Sequence, residues 1–412
     1  MVSNSFAAGA AAFGNEVISA RSGGQGGTGV AAQSNDPGVV YFNPAGLTKL
    51  EGTQVTQGLT WINLHGDYKD DSGHITKMRS IDGVVPNIAV THRFLDGKLG
   101  TGLAVESPYG LESHWPGNGP FNGVATNSKL HLVNISPAVG YQILPTVSLG
   151  FAADYYNIID ATLEKNVLLG GVSELSGTGT NWGYHTGFLV EPNEHHAFGL
   201  TYHSKVKMTI KGTASLSALS DPGLTALFGG ANYETAAYTD LYLPQNIQLG
   251  YAYKPNDKWM LEADTGWYDW DSNRDINVRF AETNPVRLSV LNIGNPVPLN
   301  RKSGWSAIGG ANYKYDDRWQ FRGGAFYLPS ATPESTFTPS VLDLERYGLA
   351  AGTGISLTPA LTLDLTYTAI FEHNRHITNT IGESATLGAE TVSGTYGNFV
   401  NVVMANLTFR FK

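Results

Sequence analysis

Apolar and polar residues alternate along most of this chain with a period of two. The segment Leu361–Ala369, LTLDLTYTA, puts leucine, tyrosine and alanine on one face and threonine and aspartate on the other. The segment Trp259–Tyr268 repeats the pattern, with tryptophan near both ends of its apolar face. Two is the period of a β-strand, because successive side chains point to opposite faces. The pattern therefore predicts strands with one apolar face.

Fourteen such segments are predicted along the chain. They span residues 53–65, 84–94, 98–112, 129–142, 147–164, 181–191, 195–213, 243–254, 258–270, 302–315, 318–328, 345–357, 361–374 and 398–411. In the seventh segment, the alternation puts Phe198, Leu200, Tyr202, Val206 and Met208 on one face and two lysines on the other.

The connections between these segments indicate the kind of β-protein. Turns of two to four residues, such as 95–97 and 255–257, alternate with long polar stretches. Strands of a transmembrane barrel need about 9–11 residues to cross the apolar zone, and their connections are short at one end and long at the other. We therefore predict an all-β protein, a transmembrane antiparallel β-barrel of fourteen strands.

A soluble β-sandwich or β-helix is the alternative for an all-β chain. The outward faces argue against it, because Trp319, Phe321 and Tyr327 on one strand would form an exposed apolar surface in water. Phe409 and Phe411 extend such a face to the end of the chain, where Lys412 follows. In contact with lipid these faces are expected.

Composition narrows the possible classes of protein. The 412 residues include no cysteine, which excludes disulfides and thiolate metal sites, and the net charge of −9 argues against a nucleic-acid partner. No stretch approaches the roughly 18 apolar residues of a membrane-spanning helix. Residues 1–15 lack the layout of a signal peptide. We expect that a signal peptide has been removed and that the chain lies in the outer membrane of a Gram-negative cell.

The segment Gly23–Leu47 is rich in glycine and contains two prolines, so it is neither a regular helix nor a central strand. A flexible linker is one interpretation of such a composition. However, the run VVYF at residues 39–42 is apolar enough to need burial. We therefore expect the segment to be held inside the rest of the protein.

Several blocks of sequence, in order along the chain, match a known family. They are the glycine-rich start followed by NPAG at residues 43–46, VPNIAVTHRF and GLAVESPYGL within 85–111, 183–206, LPQNIQLGYAY and GWYDWD within 243–271, and 316–355. Together they resemble the outer-membrane long-chain fatty-acid transporter family, the FadL type. The resemblance covers nearly the full length.

This resemblance implies a chain with two parts. Residues 1–50 would form an N-terminal hatch, or plug, in the lumen, with Asn43, Pro44, Ala45 and Gly46 as its motif, and residues 51–412 would form the barrel. The implied function is passive uptake of hydrophobic molecules, with long-chain fatty acids as cargo and aromatic or aliphatic hydrocarbons as the alternative. Its partners would be that small molecule and outer-membrane lipid or lipopolysaccharide. We expect a monomer without a cofactor or metal.

The substrate is expected to enter through the long loops. Residues 215–228, SLSALSDPGLTALF, hold Leu216, Leu219, Leu224, Leu227 and Phe228, and Asp221-Pro222 is a typical helix start. The resemblance implies a surface groove between this loop and residues 167–169 as a first docking site. Alternatively, these side chains pack the loop onto the barrel rim.

Further candidate substrate contacts are predicted to point into the lumen. On the last strand these are Val400, Val402 and Met404, which would line an apolar route or pack against the plug. The alternation of inward and outward residues also places Lys302 and Arg346 on the lumen face of their strands. The resemblance aligns Lys302 with a basic ligand-binding position, but the second basic position usual there falls in residues 154–165, which include no arginine. A cargo without a carboxylate therefore remains open, and Arg346 alternatively forms a structural ion pair with Asp343 or Glu345.

The third predicted strand contains Pro108, Tyr109 and Gly110. Proline cannot donate to the strand ladder, and glycine weakens a strand or marks a bend. The resemblance implies that this strand is kinked inward, so that the wall opens sideways to lipid. The alternative is a simple bulge that ends the strand early.

Two other classes of function are alternatives to transport. An outer-membrane enzyme would need a Ser–His or carboxylate–His pair on adjacent strands, and the histidines at 195, 196, 203, 373 and 376 do not suggest one. A structural porin would not need the N-terminal hatch. The sequence therefore favours a transporter that is not an enzyme.

Overall fold

The computed structural model describes residues 14, 18–31, 36–167, 169–381 and 390–411. Parts of the predicted hatch, together with Leu168 and Lys412, lie outside the described residues. Within the described residues, fourteen antiparallel strands form one closed barrel. In chain order they are β1 Thr53–Lys69, β2 Ile81–Phe94, β3 Leu99–Glu106 with Gly110–His114, β4 Asn127–Leu144, β5 Val147–Asn166, β6 Val172–Asn193, β7 His196–His203 with Val206–Ser217, β8 Tyr233–Leu243 with Asn246–Asn256, β9 Trp259–Tyr268, β10 Gly304–Lys314, β11 Trp319–Leu328, β12 Arg346–Thr358, β13 Leu361–Ile377 and β14 Gly394–Phe411.

The sheet closes where β1 meets β14. Their pairing runs from Thr53–Phe411 to Lys69–Thr395, along the whole of β1. No backbone edge is left at this seam, as a protein in lipid requires. The prediction of a fourteen-stranded antiparallel barrel is confirmed.

The two faces of the strands have the polarity of a barrel in lipid. On β13, Thr362, Asp364 and Thr366 are buried inside, whereas Leu365 and Tyr367 are exposed outside. In water such an arrangement would be inverted, so the apolar outer face identifies the medium as lipid. The predicted alternation on this strand is confirmed.

Short turns lie at one end of the barrel and longer loops at the other. The helices are α1 Ala20–Gly24, α2 Val39–Phe42, α3 Pro222–Phe228 and α4 Pro285–Leu291, and the 3-10 helices are Pro44–Lys49, Leu95–Gly97, Trp270–Ser272 and Glu334–Thr336. Within the described part of the chain, six further β-strands of two or three residues lie in the loops: Ile75–Lys77, Asp275–Ile276, Arg279–Phe280, Val297–Pro298, Thr380–Ile381 and Glu390–Thr391. No helix among the described residues is long and apolar enough to span a bilayer.

Several predicted strand ends differ from the structure; β8, for example, begins at Tyr233 and not near residue 243. The long loop expected before residue 181 is mostly strand, because β6 begins at Val172 and pairs there with Asn166 of β5. The seventh predicted strand, which was expected to keep one parity, changes face in the middle. His185 of β6 pairs with His203 of β7, and further along Thr178 pairs with Lys211. Between these two pairs β6 advances by seven residues and β7 by eight, so β7 contains one extra residue.

One extra residue in a strand moves every following side chain to the other face. Val206 and Met208 are consequently buried in the lumen, while Lys207 is exposed. The predicted outward placement of Val206 and Met208 is wrong for this reason. The extra residue lies between the two pieces of β7 and left no signal in the alternation itself.

Residues 18–31 and 36–50, called here the N-terminal segment, lie inside the barrel against its wall. The segment approaches the wall most closely at glycines. A Cβ added to any of these would come within 3.0 Å of an atom of the segment: Gly100, Gly140, Gly150, Gly187, Gly199, Gly250, Gly310 and Gly324. We call this set the girdle glycines. They give the backbone of the segment the space that a side chain would fill.

Candidate functional site

The lumen contains a first apolar cluster, cluster A, on the side of β1, β2, β13 and β14. Its buried members include Val400, Val402 and Met404 of β14, with Ile62 of β1 and Ile370 of β13. Loop side chains complete it: Trp115, Phe121, Phe337, Leu342 and Leu344. The inward placement predicted for the three residues of β14 matches their burial. An interior filled in this way suits apolar cargo better than water.

A second cluster, cluster B, lies on the side of β4, β5, β7 and β8. It comprises Tyr109, Leu130, Leu132, Tyr156, Ile158, Val206, Met208, Leu241, Leu243, Tyr268, Trp270, Leu328 and Ala331. Phe326 of β11 packs against both clusters. The two clusters therefore form a continuous apolar interior above the N-terminal segment.

The basic residue beside cluster B is Arg301, which sequence reasoning missed. Lys302 was expected to face the lumen as part of a strand, but β10 begins only at Gly304, and Lys302 is exposed. Arg301 is buried, and its guanidinium lies over the Trp270 ring, 5.4 Å from its centroid. Burial lowers the pKa of Arg301 to about 10, against the opposing effect of Asp343, so the side chain is charged at neutral pH.

Arg346 lies on the lumen face of β12, as parity predicted. Its Nε donates to Oε1 of Glu372 on β13 at 2.8 Å, and Asn398 of β14 donates to Oε2 of the same carboxylate at 3.0 Å. The arginine and glutamate side chains are almost fully buried. Asp343 and Glu345 were the partners expected for Arg346; Glu372, which is distant in sequence, was not among them.

The loop leucines fall into two groups. Leu216 belongs to the end of β7, and Leu219 is buried where Gly171 approaches it. Leu224 and Leu227 are half-buried on α3, and Phe228 is buried against Tyr233, with ring centroids 4.8 Å apart. The groove expected between this loop and residues 167–169 stays a prediction.

The predicted helix start is confirmed in α3, and a second helix with the same signal was missed. Asp221 caps α3 by accepting from the Leu224 amide at 2.8 Å, with Pro222 in the first turn. Asn284 caps α4 in the same way, ahead of Pro285. Arg287 of α4 donates to the Leu227 carbonyl at 2.8 Å, so the two helices form one outer surface.

The wall is interrupted at the predicted position in β3. The ladder between β2 and β3 ends at Ile88–Val105, and β3 breaks after Glu106. Its second piece, Gly110–His114, pairs with β4, while β2 continues from Asn87 to Ile81 beside β1. A bond from the Arg79 amide to the His114 carbonyl, 2.9 Å, joins the two sides again above the break.

The three residues singled out at this break lie in and beside it. Pro108 and Tyr109 separate the two pieces of β3, and Gly110 begins the second piece. All three are buried, and Tyr109 belongs to cluster B. Gly14 forms an isolated antiparallel bridge with Tyr109. The pairing of β2 with β3 is therefore interrupted beside cluster B.

Polar groups of the wall fix the N-terminal segment. Asp264 accepts from the amides of Gly29 and Val30, at 2.9 and 3.2 Å, and Glu262 accepts from the Ala31 amide at 2.8 Å. On the opposite side, Asn406 accepts from the Ala20 amide at 3.0 Å. These bonds reach the segment from β9 and β14.

The predicted motif Asn43, Pro44, Ala45 and Gly46 is buried at the centre of this attachment. Asn43 donates to the carbonyls of Val30 and Phe188, at 2.7 and 3.2 Å, and accepts from the Ala45 amide at 3.1 Å. Pro44 begins the 3-10 helix that follows, where its missing N–H costs nothing. One asparagine thus joins two parts of the segment to β6.

A carboxylate–histidine pair on adjacent strands is also present, contrary to the sequence analysis. Asp154 of β5 accepts from Nδ1 of His185 on β6 at 2.9 Å, and both are buried. Nε2 of His185 is directed at the Val40 carbonyl, 2.7 Å away, rather than at a hydroxyl nucleophile. Both residues lie in predicted strands, and the pair was missed because their contact depends on the register of β5 and β6, in which Ala152 pairs with His185.

The fold is a closed barrel with an apolar outer face, and its interior holds two adjoining apolar clusters; this is the architecture of an outer-membrane protein. The chain belongs to the family described as outer membrane protein transport protein (OMPP1/FadL/TodX), whose model matches residues 1–411. Its family is thus one of transport proteins, and the resemblance drawn from the motifs is confirmed.

Individual relatives are distant. The long-chain fatty acid transport protein of Salmonella typhi is 23% identical over 372 residues, which are 82% of each chain. Outer membrane protein P1 of Haemophilus influenzae is 22% identical and covers 97% of this chain and 94% of its own. Among solved structures, a Pseudomonas aeruginosa FadL homologue matches with a TM-score of 0.87 at 18% identity, covering 98% and 100% of the two chains. The toluene transporter TodX of Pseudomonas putida gives 0.69 at 18% identity, covering 98% and 99%.

Proposed function

We propose that the protein takes up hydrophobic molecules by passive diffusion, from the loops through the apolar lumen and out sideways through the break in β3. The observation that carries this proposal is the position of Tyr109. It belongs to cluster B and also lies in the break between Glu106 and Gly110. A molecule in that cluster is thus one side chain from the wall opening.

The outer end of the route is the surface formed by α3 and α4. Leu169, Val286 and Ile293 are exposed there, beside the half-buried Leu224 and Leu227. A hydrophobic molecule gains about 0.8 kcal/mol for each CH₂ removed from water. A weak apolar surface can therefore collect cargo, and the deeper clusters can hold it more tightly.

Arg301 supports a cargo with a carboxylate. It is a buried, charged guanidinium at the edge of an apolar cluster, and charge-assisted bonds to carboxylates are among the strong ones in proteins. Long-chain fatty acids are accordingly the first candidate. Relatives named for long-chain fatty acid transport agree with this choice.

Neutral hydrocarbons are the second candidate. Aromatic rings line both clusters, including Trp115 and Phe121 in cluster A and Tyr156 and Trp270 in cluster B. A structural neighbour is named a toluene transporter. Such cargo would bind in the same clusters without using Arg301.

The N-terminal segment acts in this account as the hatch, with the NPAG motif as its anchor. It lies below both clusters and is bonded to the wall on opposite sides through Ala20 and Ala31. Hydrophilic solutes are therefore held back while apolar cargo leaves sideways. The protein would work as a monomer, surrounded by lipid and lipopolysaccharide, and without catalysis.

Uptake by whole cells tests this proposal. Cells that lack their own hydrophobic uptake barrels should take up labelled oleate or toluene faster when they produce this protein. Uptake of a labelled hydrophilic sugar in the same cells should remain at the level of the empty vector. Equal stimulation of all three solutes would indicate a general pore, and no stimulation of either hydrophobic compound would overturn the proposal.

A further inference from the structure

The lumenal wall carries a buried group of one carboxylate and two imidazoles. Asp154 of β5, His185 of β6 and His203 of β7 each offer one ligand atom, and these atoms lie within 4.8 Å of one another. All three residues are at most 3% exposed. They belong to adjacent strands, so the barrel itself holds them together.

One nitrogen of this group is buried without a hydrogen-bond partner. Nε2 of His203 has none within the described part of the chain. A buried polar atom left without a partner costs roughly 1–3 kcal/mol. Something that supplies a bond to this nitrogen would therefore stabilise the fold.

The surroundings hold two of the three residues in ligand orientation. Nε2 of His185 donates to the Val40 carbonyl at 2.7 Å, which leaves Nδ1 on the side of Asp154. The Asp154 carboxylate accepts from Ser136 at 2.6 Å and from Asn134 at 3.1 Å. Metal-ligating histidines usually donate their other N–H to a carbonyl in this way, and ligating carboxylates are themselves hydrogen-bonded.

We propose that Asp154, His185 and His203 bind one divalent transition-metal ion of the zinc type. Two imidazoles and one carboxylate are a donor set for Zn²⁺ and its neighbours rather than for Mg²⁺ or Ca²⁺, which prefer oxygen ligands. The ion replaces the proton that His185 Nδ1 donates to Asp154. It also gives His203 a partner.

Binding requires a small local movement. The rings of His185 and His203 are stacked, with centroids 4.6 Å apart and planes inclined by 12°. One ring must turn for both nitrogens to point at the same ion. The Tyr41 ring covers His203 at a centroid distance of 5.1 Å and moves with it.

The site would join the N-terminal segment to the wall. His185 is bonded to Val40 and packs beside Tyr41, both in or next to α2. A metal ion that fixes the His185 ring therefore also fixes this part of the segment. The proposal concerns metal binding alone and holds whichever cargo the protein carries.

The test is zinc binding to the full-length protein, purified in detergent without a histidine tag. His195 lies exposed in the turn beside Glu194, and the half-buried His196 begins β7, so these two histidines offer a competing site near the surface. The reference protein therefore carries His195→Ala and His196→Ala. Bound Zn²⁺ per chain is measured by equilibrium dialysis, and Co²⁺ absorption reports the ligand geometry.

Two variants remove ligands, and a third is the matched control. His203→Phe keeps a stacked ring without nitrogens, and Asp154→Asn keeps the side-chain shape. His131→Phe removes a different buried lumenal histidine, which lies beside Glu112 and Asp160 on another part of the wall. Heat-modifiable gel mobility confirms that each barrel is folded.

The reference protein should bind one Zn²⁺ per chain, and His131→Phe should bind it equally well. His203→Phe and Asp154→Asn should each weaken binding at least about tenfold, because loss even of outer partners typically costs 10–100-fold. With zinc, amide exchange at residues 39–43 should slow in the reference protein and in His131→Phe, but not in His203→Phe or Asp154→Asn. Absence of saturable binding in the reference protein, or unchanged binding in folded His203→Phe, would overturn the proposal.

Discussion

Gly310 of β10 lies directly against the carbonyl oxygen of Gln25 in the N-terminal segment, so that a Cβ at this glycine would overlap that oxygen. Its neighbour Gly309 points away, and a Cβ there would meet nothing within 4 Å. The same kind of approach recurs at the girdle glycines on β3 to β8, β10 and β11. Close packing around the wall, in addition to hydrogen bonds, holds the segment in place.

Replacing Gly310 by alanine should displace the segment near Gln25. The added methyl group meets backbone, which cannot turn aside as a flexible side chain could, and overpacking of this kind costs about 1–3 kcal/mol. Limited proteolysis should cut Gly310→Ala within residues 18–31 sooner than the parent protein. Gly309→Ala is the matched control and should be cut at the parent rate; equal protection of both variants would contradict the packing account.

The Asn43 amide is expected to be the strongest single polar attachment of the segment. Asn43→Ala leaves the Val30 and Phe188 carbonyls without their donor, at a cost of about 1–3 kcal/mol for each buried group left unsatisfied. Asn43→Asp should be worse, because a carboxylate would face both carbonyl oxygens. Amide exchange across residues 36–50 measures the effect. Slower exchange in Asn43→Asp than in Asn43→Ala would show that the donor group is not what matters.

Variants of Arg301 and of its neighbour Lys302 test whether the cargo carries a carboxylate. Arg301→Met should weaken oleate binding by about 1.5–3 kcal/mol, as expected for a lost bond to a charged group, and leave toluene binding unchanged. Lys302→Met should affect neither ligand, because Lys302 is exposed. Titration of both ligands into the purified barrel gives the comparison. Selective loss of oleate binding in Lys302→Met would instead assign the carboxylate contact to Lys302.

The same arginine predicts a pH dependence of oleate binding. Burial lowers the pKa of Arg301 to about 10, so the cation is fully present near pH 7 and is lost as the pH rises through 10. Oleate affinity should therefore fall above about pH 10, while toluene affinity stays level. A parallel decline for both ligands would point to a general loss of structure.

Arg346 is expected to stabilise the barrel rather than to hold cargo. Arg346→Met leaves the buried Glu372 without its cation, and breaking a buried pair from one side typically costs about 3–5 kcal/mol. The double variant Arg346→Met with Glu372→Leu should recover most of this loss in the free energy of unfolding by urea. A stable Arg346→Met that binds toluene but not oleate would instead assign the residue to the cargo.

The barrel could be predicted from sequence because lipid imposes a strict local rule. Each spanning strand needs an apolar outer face, so the alternation at Leu361–Ala369 and the short turns were sufficient to count the strands. The start of α3 was also local, since Asp221 and Pro222 carry their own capping signal. The inward placement of Val400, Val402 and Met404 on β14 followed from the same alternation of apolar and polar residues.

Features that depend on distant parts of the chain could not be predicted in this way. Glu372 pairs with Arg346 through the register of two strands, and the extra residue in β7 reversed the parity of Val206 without a mark in the sequence. Arg301 was missed because the strand alternation was assumed to hold from residue 302, whereas β10 begins only at Gly304. The girdle glycines look like any strand glycine until the N-terminal segment is placed against them.

The central claim is that cargo leaves through the break in β3, and uptake by a repaired strand tests it most directly. Pro108→Thr with Gly110→Val supplies the missing donor and a strand-forming residue, so that β2 and β3 can pair beyond Ile88–Val105. Leu103→Val, on the lipid face of the same strand, is the control for insertion and folding. The initial rate of labelled oleate uptake should fall to that of the empty vector in the repaired variant and remain at the parent rate in the control. A repaired variant that inserts normally and still takes up oleate at the parent rate would contradict lateral exit.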